Sequence, residues 1–115
     1  MNASEKIMVV VEDEVDLRQI VAAFFRRKGW IVYECGTLEE GVVAVNEVNP
    51  DVLFLDNNLP DGLGWDIAPQ LAARHPRMHT HLMSGFHPNP PQMPEGVVFS
   101  VHEKPISFSQ FEAIF

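Results

Sequence analysis

Short apolar runs and amphipathic stretches alternate along the whole chain. Lys6 to Val11 (KIMVVV) is apolar and β-branched and stops abruptly at Glu12, Asp13 and Glu14, which predicts a strand. Leu17, Ile20, Val21, Phe24 and Lys28 then recur on one helical face, and Gly29 stands where that helix must stop. Trp30 to Glu34 (WIVYE) predicts a second strand. Thr37 and Glu40 have capping-box spacing ahead of Leu38, Val42, Val45 and Val48, a second amphipathic helix that Asn49-Pro50 ends. Val52 to Leu55 (VLFL) is apolar at every position, which suits a central parallel strand covered on both faces. Beyond Asp56 and the turn-rich NNLPDGLG comes a third helix through Trp65, Ile67, Leu71 and Ala72, which Pro69 should delay or kink. His81 to Ser84 predicts a fourth strand and Val97 to Val101 (VVFSV) a fifth. A short last helix starts at Ser107, with Gln110 in capping-box position, and ends at Phe115.

This alternation predicts an α/β fold: a five-stranded parallel sheet, doubly wound, with helices on both faces. One helix is missing from the pattern. Between Ser84 and Val97 the segment GFHPNPPQMPEG carries Pro88, Pro90, Pro91 and Pro94. Proline lacks the amide donor and clashes with the preceding turn, at about 3 kcal/mol each inside a helix. The fourth helix is therefore expected to be replaced by a Pro-rich loop, extended or polyproline-like.

Length and charge narrow the class. At 115 residues the chain is expected to form a single domain, residues 1–115. With 46% apolar and 21% charged residues it has ordinary globular composition and needs no disulfide or structural metal to fold. Cys35 stands alone, which excludes an internal disulfide framework and fits a reducing compartment. No apolar run approaches the ~18 residues of a membrane span, and MNASEK has no signal-peptide core. A cytoplasmic protein without membrane insertion is the expectation. The formal charge of -8 argues against direct contact with nucleic acid through a basic face.

The polar chemistry collects at strand ends, where open parallel sheets build their sites. The first strand ends in Glu12 and Asp13, the third in Asp56 and the fourth in Ser84, while Lys104 follows the fifth. Three converging carboxylates cannot all stay ionised without a counter-charge. Hard oxygen ligands of this kind suit Mg²⁺, which takes one or two carboxylates plus waters and phosphate oxygens. With a cation and Lys104 nearby, Asp56 could attack phosphorus as a nucleophile, and Ser84 and Lys104 would hold the new phosphoryl oxygens.

VVVEDE at Val9–Glu14, LFLDNNLPDGLG at Leu53–Gly64, Ser84-Gly85 and Lys104-Pro105 occur in this order over nearly the whole chain. In that set the sequence resembles a response-regulator receiver domain of two-component signalling, which is flavodoxin-like. The resemblance implies a phosphoprotein with Asp56 as phosphoacceptor and Glu12 and Asp13 as the acidic pair. The metal, Mg²⁺, would be held by Glu12, Asp13, Asp56 and the backbone carbonyl of Asn58. It also implies Ser84 as the hydroxyl switch residue, Lys104 as the phosphate-binding lysine and a cis peptide before Pro105. The implied partners are a sensor histidine kinase or phosphotransfer protein, which donates the phosphoryl group, and a downstream protein target. Such a chain is not an enzyme towards other substrates; it catalyses only its own phosphorylation and dephosphorylation. Two departures stand out. Receivers usually carry an aromatic residue three positions before the lysine, where this chain has Val101, and the Pro-rich stretch and short last helix remodel the usual output face. The Pro-rich segment is then expected to carry the output when Ser84 moves.

Other readings compete with these. Asn57, Asn58, Asp61, Gly62 and Gly64 suit turns without further function. His75, His79, His81, His87 and His102 give no closed four-ligand spacing for zinc, although His87 could bring a pH response near the site. Cys35 reads as a small half-buried residue and not a redox sensor. Phe24, Phe25, Phe54, Phe99, Phe108, Phe111 and Phe115 read as core or helix packing, and Phe86 as a screen beside the site. As a whole, the chain could instead be a pseudo-receiver that regulates by contact without phosphorylation. A haloacid-dehalogenase-like phosphatase uses similar groups, but usually places a second Asp where this chain has Asn58, and on its first strand.

Overall fold

A computed structural model describes residues 6–85, 89–107, 109, 110 and 112. The element order is β1 (Ile7–Val11), α1 (Val15–Arg27), β2 (Ile31–Cys35), α2 (Leu38–Val48) and β3 (Val52–Asp56). It continues with β4 (Asn58–Leu59), β5 (Gly62–Leu63), α3 (Gly64–Arg74), β6 (His79–Ser84) and β7 (Phe99–Glu103). The main sheet has five strands in the order β2-β1-β3-β6-β7, every neighbouring pair parallel. β4 and β5 form a separate antiparallel hairpin immediately after Asp56.

Two apolar layers hold the sheet. On one face Met8, Val10 and Phe54 meet Val21, Ala22, Phe24 and Phe25 of α1. On the other Val9, Val11, Leu53, Leu55 and Leu82 meet Val45 of α2 and Trp65, Ala68 and Leu71 of α3. The predicted α1 stripe is partly displaced. Val21 and Phe24 are buried as expected, Ala22 and Phe25 join them, and Ile20 is 49% exposed. Gly29 follows the helix at φ +92°, a conformation that other residues rarely adopt. For α2 the capping box forms: Thr37 Oγ1 accepts from the Glu40 amide at 3.1 Å, and Glu40 Oε1 accepts from the Gly36 amide at 2.9 Å.

Pro69 neither delays α3 nor ends it. The helix starts at Gly64 and runs through Pro69 to Arg74. Its first turn is anchored outside the helix, with the Gly64 amide donating to Asn57 O and the Trp65 amide to Asn57 Oδ1. Buried Trp65, Ala68, Leu71 and Ala72 then fix its face.

The last strand differs from the expectation. It runs Phe99–Glu103, two residues later than the apolar run VVFSV. Its buried position is His102, while Val98, Phe99 and Val101 are 59%, 38% and 46% exposed. Register pairs Thr80 with Phe99 and Leu82 with Val101, so these side chains share the face covered elsewhere by α2 and α3. No helix lies over them among the described residues, and residues 89–94 are neither helix nor strand. Met93 of that segment packs onto the apolar layer. The capping contacts of the last helix form, with the Ser107 amide donating to Gln110 Oε1 at 2.8 Å. Phe86, His87, Pro88, Phe108, Phe111 and Phe115 lie outside the described residues.

Candidate functional site

Parallel pairing carries the ends of β1, β3, β6 and β7 to one edge of the sheet. Glu12 directly follows β1 and is 1% exposed; Asp56 ends β3 and is 2% exposed. With exposed Asp13 they offer carboxylate oxygens that all lie within 4.8 Å of one another. Asp56 pairs in register with Met83, which puts buried Ser84 one residue further along the neighbouring strand. The Lys104 amide donates to Ser84 O at 2.8 Å, and a cis bond joins Lys104 to Pro105. Its ammonium donates to Glu12 Oε1 and lies 3.1 Å from Asp56 Oδ1. Asn58 opens β4 with its side chain exposed. Glu12, Asp13, Asp56, Ser84, Asn58 and Lys104 thus all stand at one sheet edge.

Two buried carboxylates face one ammonium here. Burial raises the carboxyl of Glu12 above its ordinary range, and Lys104 with the Glu14 amide offsets this only in part. Asp56 is raised for the same reason, and Lys104 with the nearby backbone amides of Asn57 and Asn58 offsets this only in part. Burial works to lower the Lys104 ammonium, but its bond to Glu12 and the charge of Asp56 prevail and hold it above the ordinary lysine range. One lysine cannot neutralise Glu12, Asp13 and Asp56 together. A hard divalent cation with oxygen preference fits this donor set, supplying the missing positive charge.

Four residues support the site in ways that local sequence did not disclose. Arg18 Nη1 donates to Glu12 O at 2.9 Å, fixing the backbone that carries the acidic pair. Asn57 accepts the first amides of α3 and so ties the residue after Asp56 to that helix. Gly64 is needed for close approach: a Cβ there would stand 2.1 Å from Asp56 O. Asp61 caps α2 from the far side of the hairpin. Motif spacing places Gly64 and Asp61 in a turn, but only the folded topology brings them to Asp56 and α2.

The described histidines, His75, His79, His81 and His102, do not gather round this edge, and His87 lies outside the described residues. His81 Nδ1 lies 2.8 Å from His102 Nε2, and His79 stacks on His81 at 4.1 Å between ring centroids. They line the sheet face that carries Phe54, which stacks on His81 at 4.7 Å. His75 instead bridges Asn46 and Asn49 of α2. Glu12, Asp13 and Asp56 are the one cation-type cluster among the described residues. Cys35 is buried, and burial pushes its thiol up to about 11, which suits packing and not redox sensing. Beside Glu12 and Lys104 opens a cavity of about 490 Å³ with walls from Leu17, Ile20, Met83 and Ile106.

Comparison with known proteins agrees with this architecture. The chain is 31% identical over 77 residues to the probable transcriptional regulatory protein TcrX of Mycobacterium tuberculosis, covering 67% of this chain and 33% of TcrX. It thus spans about a third of the length of that relative. Its fold matches a CheY-like receiver domain protein from Methanospirillum hungatei at a TM-score of 0.81, with 18% identity over 96% of this chain and 91% of the other. A CheY-like receiver domain from Methylobacillus flagellatus gives a TM-score of 0.78, with 23% identity and 96% coverage of both chains. The family model described as response regulator receiver domain matches residues 8–111. By its sequence, its strand order and the matched span, the chain belongs to the response regulator receiver domains of two-component systems.

Proposed function

We propose that the chain accepts a phosphoryl group on Asp56 from a histidine kinase or phosphotransfer protein and signals by docking to another protein. The observation that carries this reading is the placement of Asp56. Its carboxylate is buried at a strand end, 3.1 Å from Lys104 Nζ and within cation-sharing distance of Glu12 and Asp13. An Asp56 oxygen would attack the phosphorus of a phosphohistidine. The new O–P bond forms as the N–P bond breaks, the electron pair stays on the imidazole nitrogen, and that nitrogen is protonated from solvent. The Lys104 ammonium, held beside Glu12 and Asp56, would pair with the incoming phosphoryl oxygens, and the Ser84 hydroxyl would donate to one of them. Bound Mg²⁺, held by Glu12, Asp13, Asp56 and the Asn58 carbonyl, would neutralise charge on those oxygens.

The acyl phosphate so formed would be lost again by attack of water, so the chain turns over no substrate but its own phosphoryl group. The apolar cavity beside Glu12 and Lys104 offers a protein donor a surface next to the reacting atoms. TcrX is named as a transcriptional regulator, but most of its length lies outside the matched part. With a net charge of -8, this chain's own residues favour a protein partner over direct contact with nucleic acid. Among the described residues no helix is long and apolar enough to cross a membrane.

Mass spectrometry after incubation with acetyl phosphate tests the reading. A single phosphoryl adduct should form only with Mg²⁺ and vanish in Asp56→Asn. An adduct of unchanged yield in that variant would overturn the assignment of Asp56. A chain that never forms one would favour regulation by contact alone.

A further inference from the structure

The hairpin after Asp56 is tied to the start of α2 through one side chain. Asp61, in the β4–β5 turn, accepts from the Leu38 amide through Oδ1 at 2.8 Å and from the Glu39 amide through Oδ2 at 2.9 Å. These amides lie in the first turn of α2, where the helix offers them no partner, and their partial positive charge suits a carboxylate. Yet α2 already has a local cap in Thr37, whose Oγ1 accepts from the Glu40 amide. Asp61 therefore does more than begin a helix. It links two segments 22 and 23 residues apart in the chain.

What it holds is the loop of the proposed phosphoryl site. The other end of that loop is fastened to α3, through Gly64 and Trp65 amides donating to Asn57 at 3.0 and 3.1 Å. Between the two fastenings runs the backbone of Asn57 and Asn58, whose amides favour the charged Asp56 carboxylate, while the Asn57 amide donates to Met83 O at 3.0 Å and ties the loop to β6. The hairpin ladder pairs Asn58 with Leu63 and Leu59 with Gly62, so a pull on the turn at Asp61 is transmitted to Asn58.

We propose that Asp61 is a positioning residue for the phosphoryl and cation site. By fastening the β4–β5 hairpin to the N-terminus of α2 it fixes where Asn58 and its neighbouring amides stand relative to Asp56. Asp61 itself touches neither the cation nor the phosphoryl group. The inference rests on the reading of Asp56 as phosphoacceptor and adds a residue that this reading does not use.

A comparison of two cap deletions in the full chain tests it. Thr37→Ala removes the local cap of α2 and leaves the hairpin tied, whereas Asp61→Ala unties it. Both should lower the melting temperature by comparable amounts. Only Asp61→Ala should speed amide exchange at Asn57 and Asn58 in the metal-free chain. It should also weaken Mg²⁺ binding by about tenfold or more, as loss of a group that orients ligands does, and slow adduct formation from acetyl phosphate. Asp61→Asn, which keeps one acceptor oxygen, should recover part of each effect and serves if Asp61→Ala does not fold. Equal exchange, affinity and rate in Asp61→Ala and Thr37→Ala would overturn the proposal. A wild-type chain that neither binds Mg²⁺ nor takes up phosphoryl would instead overturn the underlying reading, and this proposal with it.

Discussion

β3 and β7 reach the same edge of the sheet, and each delivers a charged residue to it, but they are built in opposite ways. β3 is buried at every position from Val52 to Asp56, with apolar layers on both faces. β7 is an edge strand that buries His102 and leaves Phe99, Val101 and Glu103 exposed. The first arrangement surrounds the Asp56 carboxylate with packed neighbours and leaves it 2% exposed. The second suits a strand that must answer to its neighbours. Its ties include the ladder to β6, the His81–His102 and His79–Ser100 contacts and the Lys104 ammonium beyond its end.

The largest effect should come from cutting the tie between the two strands. Lys104→Met would leave buried Glu12 and Asp56 without a counter-charge, costing about 3 kcal/mol at neutral pH, the lower end for breaking a buried pair. Adding Asp56→Asn should restore part of that loss in denaturant unfolding. A single variant as stable as wild type would show that β7 is not held at its end.

Next comes the cation. At a hundredfold excess over its Kd, Mg²⁺ should stabilise the chain by about 2.7 kcal/mol, and Asp13→Asn should shrink this sharply at fixed Mg²⁺. Because Glu12 and Asp56 are raised, protons compete for the same oxygens, so the gain should fade as pH falls through their folded-state values. A melting temperature indifferent to Mg²⁺ counts against the cation site. Close behind, Gly64→Ala should cost about 2 kcal/mol by overpacking against the Asp56 carbonyl. Gly85→Ala, where a Cβ meets nothing within 4 Å among the described residues, should stay within about 0.5 kcal/mol. Equal losses at the two glycines would contradict the close packing around β3.

Much of the β3 side was readable from sequence, and much of the β7 side was not, for physical reasons. VLFLD announces a strand covered on both faces, and the acidic stop after KIMVVV marks the neighbouring strand end. Order along the chain then brings Glu12, Asp13, Asp56, Ser84 and Lys104 to one edge, since parallel strands share their carboxyl ends. The run VVFSV misleads because apolar composition signals burial only where something covers the strand. Here the covering helix is absent from the described residues, and the ladder is carried on into His102 and Glu103. His102 is buried because His81 accepts it as a partner, a pairing set by register between residues 21 apart. The delay expected from Pro69 does not occur, since buried Trp65 and Leu71 and the Asn57 contacts hold α3 across it. Asp61 and Arg18 act on elements distant in sequence or on backbone atoms, and neither kind of contact leaves a local pattern.

The histidine tie of β7 predicts a pH dependence opposite to that of the acidic pair. Burial lowers His81 to about 3, and lowers His79 and His102 as well, with neighbouring histidine charge adding to it at His81 and His102. The fold thus needs these rings neutral, while the unfolded chain protonates them near 6.5. The stabilisation carried by neutral His81 is complete above that value and drains away as pH falls towards 3, by up to about 1.4 kcal/mol per pH unit. Glu12 and Asp56, raised in the fold, work the other way and gain stability on protonation. Unfolding free energy measured across this range should therefore fall less steeply in His81→Leu than in wild type. Parallel curves would mean that another group governs acid sensitivity.

The smallest effect is the most direct check on the open side of β7. Val101 pairs in register with Leu82, which is fully buried, yet Val101 is 46% exposed at the sheet edge. Val101→Thr keeps the β-branched shape and replaces a methyl by a hydroxyl that water can reach. In a covered strand that hydroxyl would lack a partner and cost 1–3 kcal/mol. On an open edge it should change stability by less than about 0.5 kcal/mol. The same substitution at Val10 of β1, which is fully buried, sets the scale for a covered position. If Val101→Thr costs as much as Val10→Thr, something covers Val101 in solution, and the contrast between the two strands is lost.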